Sequence, residues 1–227
     1  MRYRAVLFDA DETLFDFQAG NRNAVSQLMD ELGYHHPDRY AQYEAINQQC
    51  WAALEQGRMT HPQLQLARFE RFFERYRVDG DAARAAARFP VLLSRQSILL
   101  PHAEGVVRAI AARLPVAIVT NGATVTQKGR LARSPIRDAI SGMVISEEAG
   151  VSKPRPEIFL MALEPLGVEP RDALMIGDGV NSDIRGANNA GIDACWYNPG
   201  GKTLPDGVRA EYTVSDLRQC VPIALAE

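Results

Sequence analysis

Apolar residues along this chain gather into short runs that close on polar or small residues. The clearest are AVLFDAD (5–11), PVAIVTNG (115–122), GMVISEE (142–148), ALMIGDG (173–179) and DACWYN (193–198). Their Val, Ile and Leu follow one another without polar alternation, which predicts strands covered on both faces, as in parallel sheets. Helical patterns lie between them. HAEGVVRAIAARL precedes the second run, PEIFLMALEPLG lies between the third and fourth, and NSDIRGANNAGI follows the fourth. Gly191 stands where a helix C-cap belongs. Alternating strands and helices predict an α/β fold, a Rossmann-like core with a doubly wound parallel sheet.

Residues 16 to 96 break the rhythm. No strand-like run occurs there, only helical patterns punctuated by Gly33, Pro37, Gly57 and Pro62. Phe69, Phe72, Phe73 and Tyr76 follow the i, i+3, i+4, i+7 spacing of one helix face, which predicts a helix-bundle core. Thr60 to Gln63, with Pro62 in the first turn, reads as a capping box. The chain therefore divides into a core of residues 1–15 plus 97–227 and an inserted all-helical cap of residues 16–96.

Composition adds mainly exclusions. The 227 residues are 46% hydrophobic and 23% charged with a net charge of −3, and Lys and Arg are scattered. Neither a nucleic-acid nor a membrane partner is expected from that balance. Cys50, Cys195 and Cys220 form no C-x-x-C pair, and the four histidines lack metal-ligand spacing. No run approaches the roughly 20 apolar residues of a membrane span, and the N-terminal run is too short for a signal-peptide core. A soluble protein of the reducing cytoplasm is the expectation.

The unusual polar residues fall at the C-terminal ends of the predicted strands, where open α/β sheets bind ligands. Asp9 and Asp11 close the first strand, and Thr120 and Asn121 the second. Lys153 precedes the helix that starts near Pro156, and Asp178 and Asp183 follow the fourth run. In an extended chain Asp9 and Asp11 would point the same way and repel, so a cation is needed between them. Clustered carboxylates without His or Cys favour a hard ion, Mg²⁺. Mg²⁺ and Lys153 would neutralise a phosphate, and Thr120 and Asn121 would donate to its oxygens. One carboxylate is then free to attack phosphorus and its neighbour to move a proton.

DADET, VTNG, SKPRPEIF and GDGVNSD, in that order, resemble the four motifs of the haloacid dehalogenase superfamily of phosphohydrolases, and the helical insert resembles their cap domain. The resemblance implies that Asp9 is the nucleophile and Asp11 the general acid/base, with its main-chain carbonyl on the metal. It further implies that Asp178 binds the metal directly, that Asp183 acts through water or by orienting its neighbours, and that Thr120 and Lys153 hold the phosphate. Glu12, where many members carry Gly, with the cap segment AINQQCWAALEQGRMTHPQLQLARFERF and ISEEAGVSKP, is similar to the pyrimidine 5′-nucleotidases that dephosphorylate UMP, dUMP and dTMP. The expected partner is a small phosphomonoester.

Other readings remain beside this one. A sugar-phosphate phosphatase or phosphomutase uses the same core, since specificity sits in the cap. A haloacid dehalogenase proper would leave Asp11 unexplained. A non-catalytic binding module predicts loss of Asp9, Asp11, Lys153 or Asp178, and all four are present. Phe15, Phe17 and Trp51 are expected to pack in the core or cap rather than stack on a base, and no base-binding residue is assigned.

Overall fold

In the computed structural model the apolar runs form β1 (Ala5–Phe8), β2 (Val116–Thr120), β3 (Gly142–Ile145), β4 (Ala173–Gly177) and β5 (Asp193–Tyr197). The structure describes residues 1–226, with the side chains of all of them except Glu55 and His61. A sixth strand, β6 (Tyr212–Val214), completes a parallel sheet in the order β3-β2-β1-β4-β5-β6. The order reverses direction between β1 and β4, and a crevice opens beyond the strand ends at such a switch point.

Two compact units are present. One comprises Met1–Phe17 and the segment from Ser97 onward, and the other is Gln18–Gln96. In the first, alternate strand residues face opposite sides of the sheet. Val6, Phe8, Val116, Ile118, Leu174 and Ile176 share one cluster with Val106, Val107 and Ile110. Ala5, Leu7, Val119, Met175 and Trp196 share the other with Ile158, Phe159 and Leu163.

The helical unit takes most of α1 (Phe17–Glu31), then α2 (Arg39–Glu55), α3 (His61–Tyr76) and α4 (Ala82–Leu93). The first unit continues with α5 (Ala103–Ala111), α6 (Thr124–Ala132), α7 (Ser146–Ala149), α8 (Pro156–Leu163), α9 (Arg185–Ala190) and α10 (Cys220–Ala224). Helices α5 and α8 thus supply the two apolar layers over the sheet. Gly191 caps α9 at φ 72°. Among the described residues no helix is long and apolar enough to cross a membrane.

Phe69, Phe72 and Phe73 are buried inside the helical unit, and Tyr76 is half-buried. Tyr43 from α2 and Phe89 from α4 join them, with ring centroids 5.6 Å (Tyr43–Phe69) and 6.2 Å (Tyr43–Phe89) apart. The Thr60 capping box forms with both reciprocal bonds.

Two expectations need correction. β3 is an edge strand whose Gly142 is exposed, so it is covered only in part. β6 was missed because three residues, Tyr-Thr-Val, are too short for a periodic signal.

The helix starts of the helical unit generate a ranking. Asp81 accepts from the backbone N–H groups of Ala83 (2.8 Å) and Arg84 (3.1 Å), whereas Thr60 accepts from Gln63 at 3.4 Å. Asp81→Ala is expected to lower stability by about 1 kcal/mol and Thr60→Ala by about 0.5 kcal/mol. Urea unfolding midpoints check this, and a larger loss from Thr60→Ala contradicts it.

Candidate active site

β1 delivers Asp9 to the crevice. The Asp9 backbone N–H donates to the carbonyl of Ile176 at 2.9 Å, so the residue stays anchored beside β4. Its carboxylate, nearly buried, accepts from Lys153 Nζ at 2.5 Å. Lys153 comes from the segment between α7 and α8. It also donates to the carbonyl of Val119 at 2.8 Å and pairs with Asp183 Oδ1 at 2.7 Å.

Asp183 sits in a π-helical turn, Val180–Ile184, that follows β4. Its Oδ2 accepts from the N–H of Gly179 at 2.8 Å. A Cβ on Gly177 would stand 2.5 Å from the same oxygen, so glycine there makes room for the carboxylate. Asp178 precedes that turn. The Asp178 N–H donates to the Thr13 hydroxyl oxygen (3.1 Å), and the hydroxyl donates to Asp178 Oδ1 (3.4 Å). The Trp196 indole N–H donates to the Asp178 carbonyl at 3.0 Å.

Carboxylate oxygens of Asp9, Asp178 and Asp183 all lie within 4.8 Å of one another. Burial and the Asp183 charge push the Asp9 carboxyl up, against the pull of Lys153. Burial, Asp183 and Glu12 raise Asp178 to about 6. Burial works against the Lys153 ammonium, but Asp183 and Asp9 outweigh it and raise its pKa. One ammonium facing three carboxylates leaves the group short of positive charge. An all-oxygen donor set with that deficit fits a hard divalent cation.

Thr120 is buried at the end of β2, and its Oγ1 accepts from the N–H of Gly122 at 3.1 Å. Asn121 uses both ends of its amide on the Lys153 main chain. Its Oδ1 accepts from Lys153 N (2.9 Å), and its Nδ2 donates to Lys153 O (3.0 Å). That arrangement braces Lys153 and leaves one amide hydrogen for another acceptor.

Asp11 departs from the extended-chain expectation. β1 ends at Phe8 and Glu12 takes φ 60°, so the chain is already turning. Glycine tolerates that conformation without the Cβ penalty that Glu12 incurs. Asp11 Oδ1 accepts from Arg130 Nη1, and Oδ2 accepts from Gln127 Nε2 at 2.8 Å. The carboxylate of Asp11 is therefore outside the three-aspartate cluster. Each of the paired aspartates has its own cation.

Sequence reasoning passed over Thr13, Gln127 and Arg130. Thr13 lies inside the first motif and was available. Gln127 and Arg130 occur in TQKGRLARS, which carries no motif, and both are buried. Of the aromatic residues, Phe15 is buried and Phe17 half-buried, but Trp51 is 42% exposed and so is not core.

Comparison with known proteins follows the same lines. A haloacid dehalogenase-like hydrolase family model matches residues 3–191. The chain is 36% identical over 220 residues to the pyrimidine 5′-nucleotidase YjjG of Escherichia coli, covering 96% of each chain. It is 33% identical over 229 residues to the pyrimidine 5′-nucleotidase PynA of Streptococcus pneumoniae, covering 97% of this chain and 96% of that one. The magnesium-bound structure of the HAD-hydrolase YfnB from Bacillus subtilis matches with a TM-score of 0.88 at 31% identity, covering 99% of this chain and 100% of the other.

The raised Asp178 pKa carries a stability consequence. Its folded value of about 6 lies above the ordinary 3.8, so ionisation penalises the folded state as pH rises from about 4 through 6. Asp178→Asn should therefore stabilise the metal-free protein by about 1–2 kcal/mol at pH 7.5, with the gain fading toward pH 4. Melting temperatures in chelator across that range check it. Added Mg²⁺ should raise the melting temperature of the unsubstituted protein more than that of the variant. A destabilised variant at pH 7.5 contradicts the account.

Proposed function

The chain belongs to the haloacid dehalogenase-like hydrolases, and on that footing we propose that it is a Mg²⁺-dependent phosphatase of pyrimidine nucleoside 5′-monophosphates, UMP, dUMP and dTMP. The observation that carries the reaction is the Asp9 carboxylate, held by Lys153 within a three-carboxylate cluster at the switch point of the sheet. The substrate rests on near full-length similarity to two pyrimidine 5′-nucleotidases. We take residues 1–15 with 97–227 as the catalytic core, the last of them outside the described residues, and residues 16–96 as the cap. Three buried free cysteines support a reducing, cytoplasmic setting.

In this mechanism an Asp9 carboxylate oxygen attacks phosphorus, the bond from phosphorus to the nucleoside oxygen breaks, and an aspartyl-phosphate forms on Asp9. Asp11 gives its proton to the departing oxygen. It then takes a proton from water, whose oxygen attacks phosphorus and frees Asp9. Lys153 binds phosphate oxygens and fixes the attacking carboxylate, and Asn121 holds Lys153 in place. The Thr120 hydroxyl and the remaining Asn121 amide hydrogen donate to the phosphate. Asp9, Asp178 and the Asp11 carbonyl would hold a Mg²⁺ ion, with Asp183 acting through water or by orienting its neighbours, and the bound ion would neutralise phosphate oxygens.

Phosphate release with Mg²⁺ from UMP, dUMP, dTMP, CMP, AMP, GMP, glucose phosphates and phosphoglycolate tests the reading. The uracil and thymine nucleotides should lead the panel. A preference for sugar phosphates would keep the chemistry and replace the substrate. Asp9→Asn should abolish turnover with the circular dichroism spectrum unchanged, and Lys153→Met should lower kcat by about 10³-fold. Full activity in Asp9→Asn removes the nucleophile assignment.

A further inference from the structure

Helix α6 faces inward with polar residues. Its buried positions are Thr126, Gln127 and Arg130, where a helix of an α/β core normally presents apolar ones. Arg130 is 1% exposed, and buried arginines are rare because desolvating the guanidinium is costly. The Phe15 ring lies under the guanidinium, 4.4 Å from its central carbon, and Nη1 meets Asp11 Oδ1. Arg130 Nε has no partner. Gln127, one turn earlier on the same helix face, donates Nε2 to Asp11 Oδ2 while its own Oε1 has no partner. Gly122 makes this possible, because a Cβ there would collide with the Gln127 amide. The Ser97 hydroxyl ties down the helix by donating to the Arg130 carbonyl at 3.0 Å.

Two buried polar side chains thus leave atoms unsatisfied in order to grip one carboxylate from both sides. Apolar residues of the same volume would pack this helix at lower cost, so stability alone does not account for the pair. The Asp11 side chain is itself 29% exposed, so its outward lone pairs stay accessible. From this geometry we infer that Gln127 and Arg130 are positioning residues. They fix the Asp11 carboxylate in the orientation from which it hands its proton to the departing oxygen. The inference rests on the reading of Asp11 as general acid/base.

A leaving-group comparison separates this role from a structural one. Nitrophenolate departs without protonation, whereas an alkoxide needs the acid, so loss of proton delivery harms only the alkyl ester. The test measures kcat/KM for the best alkyl phosphate of the substrate panel and for p-nitrophenyl phosphate. Arg130→Met and Gln127→Met are made alone and in the Asp11→Asn background, with melting temperatures for each protein. Arg130→Met should lower kcat/KM for the alkyl ester by about 30-fold and for the aryl ester by no more than about 3-fold. Arg130→Lys should recover part of the loss, and neither Met variant should cost anything further beside Asp11→Asn. Gln127→Met, with the smaller expected effect, carries the test if Arg130→Met does not fold. Equal losses on both esters, or a full additional loss in the Asp11→Asn background, would overturn the positioning role. If Asp11→Asn itself shows no preference between the esters, the general-acid reading fails and the inference falls with it.

Discussion

The three-aspartate cluster depends on one ammonium group. Lys153 Nζ touches Asp9, Asp183 and the Val119 carbonyl, which links the strand end at β1, the turn after β4 and the end of β2. Without it, buried carboxylates would face one another across a few ångströms, where repulsion is large because little water screens it. Much of the surrounding structure serves that contact. Asn121 clamps the backbone on either side of the lysine, and Gly177 leaves space for the Asp183 carboxylate to reach it. One positive charge still does not balance three negative ones, and the raised pKa of Asp178 registers the deficit. The same imbalance that weakens the metal-free fold makes the site receptive to a cation.

Asp9 and Asp11 lie two residues apart and act on one another through space, yet each is paired with a different cation. The end of β1 at Phe8 and the left-handed conformation of Glu12 turn the second carboxylate away from the first. Asp9 then pairs with Lys153 and Asp11 with Arg130. The proposed mechanism gives the two carboxylates different tasks, attack on phosphorus for Asp9 and proton transfer for Asp11.

The sequence made the strand ends legible because buried parallel strands are written as unbroken apolar runs, and Asp9, Thr120, Asn121 and Asp178 sit at or just past their ends. Capping signals at Thr60 and Gly191 were equally readable, since their cause is local. What escaped was non-local or short. β6 is three residues long, and its place beside β5 depends on the whole sheet. Gln127 and Arg130 escaped because sequence shows their polarity but not the Asp11 carboxylate, more than a hundred positions away, to which they bond. Asn121 was read as a phosphate contact, and its bonds to Lys153 show a nearer task that spacing alone could not reveal. Trp51 is exposed on α2, against the expectation of core or cap packing.

The proposed mechanism passes the phosphoryl group through a carboxylate oxygen of Asp9. Quenching the protein during turnover, reducing it with borohydride and sequencing the peptides by mass spectrometry would locate that group, because reduction converts an acyl phosphate of aspartate to homoserine. Homoserine at position 9, dependent on substrate and absent from Asp9→Asn, is the predicted result. Homoserine at position 11, 178 or 183, or none at any aspartate while phosphate is being released, would contradict it.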